Sequence, residues 1–262
     1  MRHLNVKIFV LRRGHAVLLC ALALALTIGC AAAAPAFITA SATERQLPIY
    51  SVERAQNLCA ISFDAAWGNE DTGQLIDILA RYNVKTTFFV VGDWVEKYPE
   101  SVKALHDAGH EVMNHSNHHD HYNSLTTEQI IADVTACNEK IAAITGVTPT
   151  LIRCPYGEYD DHVIAAIRSM GMEPVQWDVD SLDWKNDDAA TICHRVDSKA
   201  KAGSIVLFHN AALHTPAALP DVLDCLINKG LTVVPISQLI YWENYTIDHT
   251  GRQFPTEPDD AT

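Results

Sequence analysis

Six side chains able to hold a charge or move a proton stand at the ends of short runs of β-branched and aromatic residues. Asp64 closes Leu58–Asp64, His115 closes Glu111–His115, Arg153 closes Thr150–Arg153, and His209 directly follows Ser204–Phe208. Asp180 and Asp183 come just after Glu173–Val179. A carboxylate and an imidazole can divide two proton transfers between them when their surroundings push their pKa values apart. The segment His115-Ser116-Asn117-His118-His119 adds two imidazoles four residues apart. On a helical turn that spacing puts both on one face, as a divalent metal needs. His118, Asp120 and His121 read as solvated turn residues.

These residues lie between positions 64 and 209, so only a fold that brings strand ends together can unite them. From Leu58 onward the strand-like runs alternate with longer amphipathic ones. The strands predicted are Leu58–Asp64, Thr86–Gly92, Glu111–His115, Thr150–Arg153, Glu173–Val179, Ser204–Phe208 and Leu231–Ile236. The helices predicted between them are Glu70–Tyr82, Trp94–Ala108, Thr127–Thr145, Asp161–Met170, Asp188–Lys201 and Pro216–Asn228. Thr126 with Gln129 makes a capping box, and Gly109 and Gly230 supply stops. The alternation predicts an α/β fold of parallel strands with right-handed crossovers, as an open sheet or a barrel. In a parallel barrel all C-terminal strand ends open on one face, where active sites are built. Only one glycine follows the first strand in Phe63-Asp64-Ala65-Ala66-Trp67-Gly68, which argues against a phosphate-cradling loop.

Ser62-Phe63-Asp64, His115-Ser116-Asn117-His118-His119, Arg153-Cys154-Pro155-Tyr156-Gly157, Asp180-Ser181-Leu182-Asp183-Trp184 and Ile205-Val206-Leu207-Phe208-His209 form an ordered set. That set resembles the five motifs of the NodB-type polysaccharide deacetylases, carbohydrate esterase family 4, over roughly Leu58 to Ser237. The Asp64-Ala65-Ala66-Trp67-Gly68 continuation looks like the sporulation-associated subgroup that acts, or is assumed to act, on peptidoglycan. The resemblance implies a distorted (β/α) barrel of about seven parallel strands. It also implies roles: Asp64 as general base held ionised by Arg153, and His209 as general acid kept charged by Asp183. His115 and His119 would ligate zinc or another divalent metal. The Tyr156 backbone N–H would help stabilise an oxyanion, and Trp184 and Leu207 would line the pocket for an acetyl methyl. The implied reaction is hydrolysis of the N-acetyl amide of GlcNAc or MurNAc residues in a cell-wall or spore-wall glycan. Such a reaction needs a nucleophile, an oxyanion stabiliser and a proton for a poor leaving group.

At one position the sequence leaves the family pattern. The first motif normally carries two adjacent aspartates, a base and then a metal ligand, and here the second is Ala65. Two histidines fall short of the three protein ligands usual for catalytic zinc. A second reading is therefore a glycan-binding or spore-wall assembly protein that kept the fold and lost its metal. A third, a glycosidase using Asp64 and Asp183 as paired carboxylates, gives no work to the three histidines. Taken singly, Asp64 also reads as a helix cap, Arg153 as an ion-pair partner and Trp184 as core.

The formal net charge is −13, and the first 43 residues hold Arg2, Lys7, Arg12 and Arg13 and no acids. The remainder is more acidic still and has no Lys/Arg cluster to track a phosphate backbone, which excludes nucleic acid as the expected partner. The four bases precede an uncharged run from Ala16 to Thr43. That reads as a cleaved signal peptide, a retained membrane anchor or a lipoprotein signal, each placing the rest outside the cytoplasm. The expected organisation is residues 1–43 as signal or anchor, 44–243 as the deacetylase domain and 244–262 as a polar surface tail. Cys59, Cys137, Cys154, Cys193 and Cys225 are odd in number and lack C-x-x-C spacing, which argues against a disulfide framework.

Overall fold

The computed structural model describes residues 45–256, so the signal-or-anchor segment lies outside the described residues. The central strand β2 (Leu58–Ala65) is buried along nearly its whole length, as a parallel strand covered on both faces must be. Its side chains alternate between two environments. Cys59, Ile61, Phe63 and Ala65 belong to the larger core cluster, under the helices. Ala60 belongs to a second cluster with Phe89, Met113 and Val175, on the inner side of the curved sheet. Asp64 is the last inward position before the strand ends.

Parallel neighbours flank β2: β3 (Thr87–Val90) on one side and β8 (Ile205–His209) on the other. The sheet continues through β4 (Glu111–Asn114), β5 (Leu151–Ile152) and β6 (Glu173–Pro174). Beyond β8 lies β7 (Val179–Asp180), and β9 (Thr232–Val233) pairs with the start of β2. Seven parallel strands thus run in the order β6-β5-β4-β3-β2-β8-β7, forming a half-barrel rather than a closed one.

The helices that cover the sheet obey the local signals. Helix α1 spans Thr72–Arg81. The predicted helix Trp94–Ala108 is two, α2 (Gly92–Lys97) and α3 (Pro99–Asp107). Pro99 cannot donate a backbone hydrogen bond and drives Tyr98 out of the helical region, so the chain breaks there. Helix α4 (Thr127–Thr145) keeps its predicted bounds, with the Thr126/Gln129 capping box in place and Gly146 ending it at φ 73°. Helices α5 (Asp161–Ser169), α6 (Ala189–Lys199), α7 (Thr215–Asn228) and α8 (Ile236–Leu239) complete the layer. Among the described residues no helix is long and apolar enough to cross a membrane.

Two further expectations change. The run Glu173–Val179 is not one strand. Between β6 and β7 the carbonyls of Val175 and Gln176 accept hydrogen bonds from the Arg153 guanidinium. The segment read as a surface tail contributes β10 (Tyr245–Ile247) and β11 (Arg252–Pro255), and β11 pairs with β1 (Ser51–Val52) to make a small second sheet. Gln253 anchors it, fully buried, by exchanging two side-chain hydrogen bonds with the Tyr241 backbone at 2.7 and 2.6 Å.

Candidate active site

Strand register brings the first pair of side chains together. Asp64 and His209 are Cα partners on β2 and β8, and both point inward. They open on a cavity of about 560 Å³ that His115, His119, Tyr156, Trp184 and Leu207 also line. Arg153 and Asp183 lie behind these residues, fully buried. The structure therefore gathers all nine residues to which the resemblance gave roles, and Asp180 lines the same cavity.

Arg153 is held as a fork. Its Nη1 donates to Asp64 Oδ1 at 2.7 Å, while Nε and Nη2 donate to the carbonyls of Val175 and Gln176 at 3.4 and 3.1 Å. The guanidinium sits over the Phe89 ring, 4.3 Å from its centroid. Each nitrogen of the cation has an acceptor, which is the condition for burying one. Burial alone would raise the Asp64 carboxyl. The charge of Arg153, with His115, His209 and the Arg153 hydrogen bond, outweighs it and leaves the pKa below the ordinary value.

His209 is set the other way. Its Nδ1 donates to Asp183 Oδ1 at 2.8 Å, which fixes the tautomer and turns Nε2 towards the cavity. Asp183 Oδ2 accepts from the His209 backbone N–H at 2.8 Å and from the Thr215 hydroxyl at 2.6 Å. Burial would lower the His209 pKa, but the Asp183 hydrogen bond and charge raise it above 6.5. Trp67, half exposed, stacks on the imidazole with centroids 5.9 Å apart and 14° between planes. Neither Trp67 nor Thr215 carried a role in the sequence reading. Trp67 stood in a quoted motif, and Thr215 gave no signal outside the three-dimensional fold.

His115 and His119 do meet, but not on a helical turn. His115 follows β4 and His119 lies in a loop where Ser116 and His119 take left-handed conformations, φ 69° and 60°. The Ser116 hydroxyl accepts from the His119 N–H at 2.8 Å and closes this turn. The rings then lie 5.0 Å apart. His115 Nδ1 donates to the Arg153 carbonyl at 2.7 Å, leaving Nε2 facing Asp64 Oδ2 at 3.6 Å. Burial lowers both imidazoles, His119 to about 4. Tyr156 continues the rim, with φ 59° in a 3-10 turn and its ring stacked on His121 at 4.2 Å. His121 in turn bonds Glu158 at 2.8 Å and stays exposed at the rim, as a solvated turn residue.

These donors do not make a complete metal site. Among the described residues no three His, Cys, Asp or Glu side chains are arranged to hold an ion. The Asp64 carboxylate is engaged by Arg153, and Ala65, only 1% exposed, packs its methyl in the core cluster under the helices. Two neutral imidazoles remain, one short of the usual catalytic zinc set.

Comparison with known proteins places these residues in a family. The polysaccharide deacetylase family model matches residues 51–175. The peptidoglycan-N-acetylmuramic acid deacetylase PdaC of Bacillus subtilis (strain 168) is 33% identical over 189 residues, covering 72% of this chain and 40% of PdaC. This chain thus spans well under half of PdaC. The peptidoglycan-N-acetylmuramic acid deacetylase PdaA of the same organism is 31% identical over 185 residues, 69% of this chain and 70% of PdaA. Among solved structures, wild-type BA3943, a CE4 family pseudoenzyme from Bacillus anthracis, superposes with a TM-score of 0.71 at 31% identity. That match covers 74% of this chain and 68% of BA3943.

Proposed function

Since the chain belongs to the polysaccharide deacetylase family, we propose that it hydrolyses the N-acetyl amide of MurNAc or GlcNAc residues in peptidoglycan, releasing acetate. One observation carries this reading: a carboxylate paired with a buried arginine and an imidazole paired with a buried aspartate face one cavity from adjacent strands. Amide hydrolysis needs that pair, because a proton must leave the attacking water and another must reach the departing amine.

In this reading Asp64 takes the proton from water, and Arg153 fixes its orientation and charge. His209 delivers a proton from Nε2 to the amine nitrogen while Asp183 holds Nδ1–H. The Tyr156 N–H supports the oxyanion of the tetrahedral intermediate. Leu207 and Trp184 receive the acetyl methyl, and the exposed rings of Trp67, Trp184 and Tyr156 offer flat faces to a sugar. Deacetylases of this family are generally metal-dependent. His115 and His119 are the imidazoles that zinc or another divalent ion would meet, and with the third ligand absent no step is assigned to an ion. The acidic chain, with its basic N-terminus followed by an uncharged run, fits action outside the cytoplasm, secreted or held at the membrane or spore envelope.

Ala65 favours a second reading, a glycan-binding protein of wall assembly with little or no turnover. Acetate release from peptidoglycan and from N-acetylglucosamine oligomers, with and without added zinc, separates the two. Release supports the hydrolase. Glycan binding with no acetate under any metal condition establishes the binding protein and overturns the first reading.

A further inference from the structure

Cys193 and Cys225 are 32 positions apart, yet their sulfurs lie 3.6 Å from each other. Cys193 is on α6 and Cys225 on α7, and both are partly exposed. The other described cysteines are placed differently: Cys59 and Cys137 are buried in the larger core cluster and Cys154 in a third one. Two helices already packed side by side bring one pair of thiols into contact at their shared, solvent-reachable edge. A disulfide needs about 2.05 Å between sulfurs, a closure within reach of side-chain rotation.

We propose that Cys193 and Cys225 are a modification site: they close a disulfide that ties α6 to α7 when the chain meets a low-molecular-weight disulfide or a thiol–disulfide oxidoreductase. One cysteine thiolate attacks the oxidant's S–S bond, forming a mixed disulfide and releasing one oxidant thiol. The second thiolate attacks the protein sulfur of that mixed disulfide, forming the Cys193–Cys225 bond and releasing the other oxidant thiol. Both cysteines are oxidised, the oxidant's disulfide is reduced, and the two protons leave with its thiols. Burial, then contact with Cys225, pushes the Cys193 thiol up to about 12, so without a catalyst the exchange takes minutes to hours.

The position gives the cross-link a consequence. The closed loop contains β8 with His209 and also Thr215, whose hydroxyl holds Asp183. Tying α6 to α7 restrains in the unfolded chain the segment that must place the imidazole against β2. A loop of this length stabilises by limiting unfolded conformations. An oxidising extracytoplasmic location, part of the function proposed above, would keep the bond closed.

The test uses the full chain, purified reduced and then incubated with oxidised glutathione. Free thiols are alkylated in denaturant and the digest is read by mass spectrometry. The expected result is a peptide pair joined through Cys193 and Cys225 that lacks the mass of two hydrogen atoms and is cleaved by dithiothreitol. The oxidised protein should melt about 5–10 °C above the reduced one. Cys193→Ser, Cys225→Ser and the corresponding alanine variants should each lose the joined peptide, and with it the shift. Two thiols still alkylated after prolonged oxidation, separate glutathione adducts, or joining to any other cysteine would overturn the proposal. Loss of acetate release has no bearing on the linkage, so the two proposals fail separately.

Discussion

Asp64 and His209 are register partners on β2 and β8, so neighbouring backbones deliver a carboxylate and an imidazole to the same cavity. Each is fixed by a buried partner of opposite charge, Arg153 for Asp64 and Asp183 for His209. Two ion pairs of opposite orientation thereby lower the pKa of Asp64 and raise that of His209 in one site. Asp64→Asn and His209→Ala should each lower acetate release by about 10²–10⁴-fold. The circular dichroism spectrum should stay that of the wild type. Retained activity in either variant would remove that residue from the reaction.

A pH profile tests the second ion pair. In the proposed role of acid, His209 works while protonated, and Asp183 raises its pKa above 6.5. The alkaline limb of the rate profile should therefore lie above 6.5 and move to lower pH in Asp183→Asn. Stability follows the same sign. A histidine whose folded pKa is raised contributes fully below 6.5 and loses that contribution as pH rises through the folded value. The stability gap between wild type and Asp183→Asn should narrow over that window. An unmoved alkaline limb would show that another group sets it.

Arg153 predicts a loss of stability rather than of rate alone. It is completely buried, and replacing it with Met leaves the Asp64 carboxylate and the Val175 and Gln176 carbonyls without their donor. Breaking one side of a buried ion pair costs about 3–5 kcal/mol. Urea unfolding should show a drop of that size in Arg153→Met. Arg153→Lys should fall between, since an ammonium keeps the charge but cannot reach three acceptors at once. A Met variant as stable as wild type would mean that the pair contributes nothing to the fold.

Most of this site was legible because it is carried by strand ends. Asp64 and His209 each fall at the C-terminal end of a run that reads as a parallel strand, which put both on one face of the sheet before any coordinates. The Thr126/Gln129 capping box likewise set the bounds of α4. What failed depends on tertiary bonding. The run that reads as one strand is split between β6 and β7, where the Val175 and Gln176 carbonyls accept from the Arg153 guanidinium. A serine hydroxyl and two left-handed residues, not a helix, bring His115 to His119. Trp67 and Thr215 act by stacking on and bonding to partners far away in sequence, and Gln253 is buried by a two-way amide contact that no apolar pattern announces. The cysteine count missed the Cys193 and Cys225 contact for the same reason.

Ala65 supplies the sharpest test of whether this site can hold a metal ion. It follows Asp64, it is 1% exposed, and its methyl packs in the core cluster beneath the helices. Ala65→Asp adds a carboxylate to that environment, beside the charge of Asp64. Both burial and like charge oppose it unless a cation is present to neutralise the pair. The metal-free variant should therefore melt below wild type. Zinc should raise its melting temperature and bind it more tightly than wild type, where His115 and His119 act alone. Calorimetric titration of both proteins measures the affinities, and melting with and without zinc measures the coupling. Equal affinity in the two proteins would show that the new carboxylate stays with the core. Wild-type zinc binding that survives the paired His115→Ala and His119→Ala change would place the ion away from this cavity.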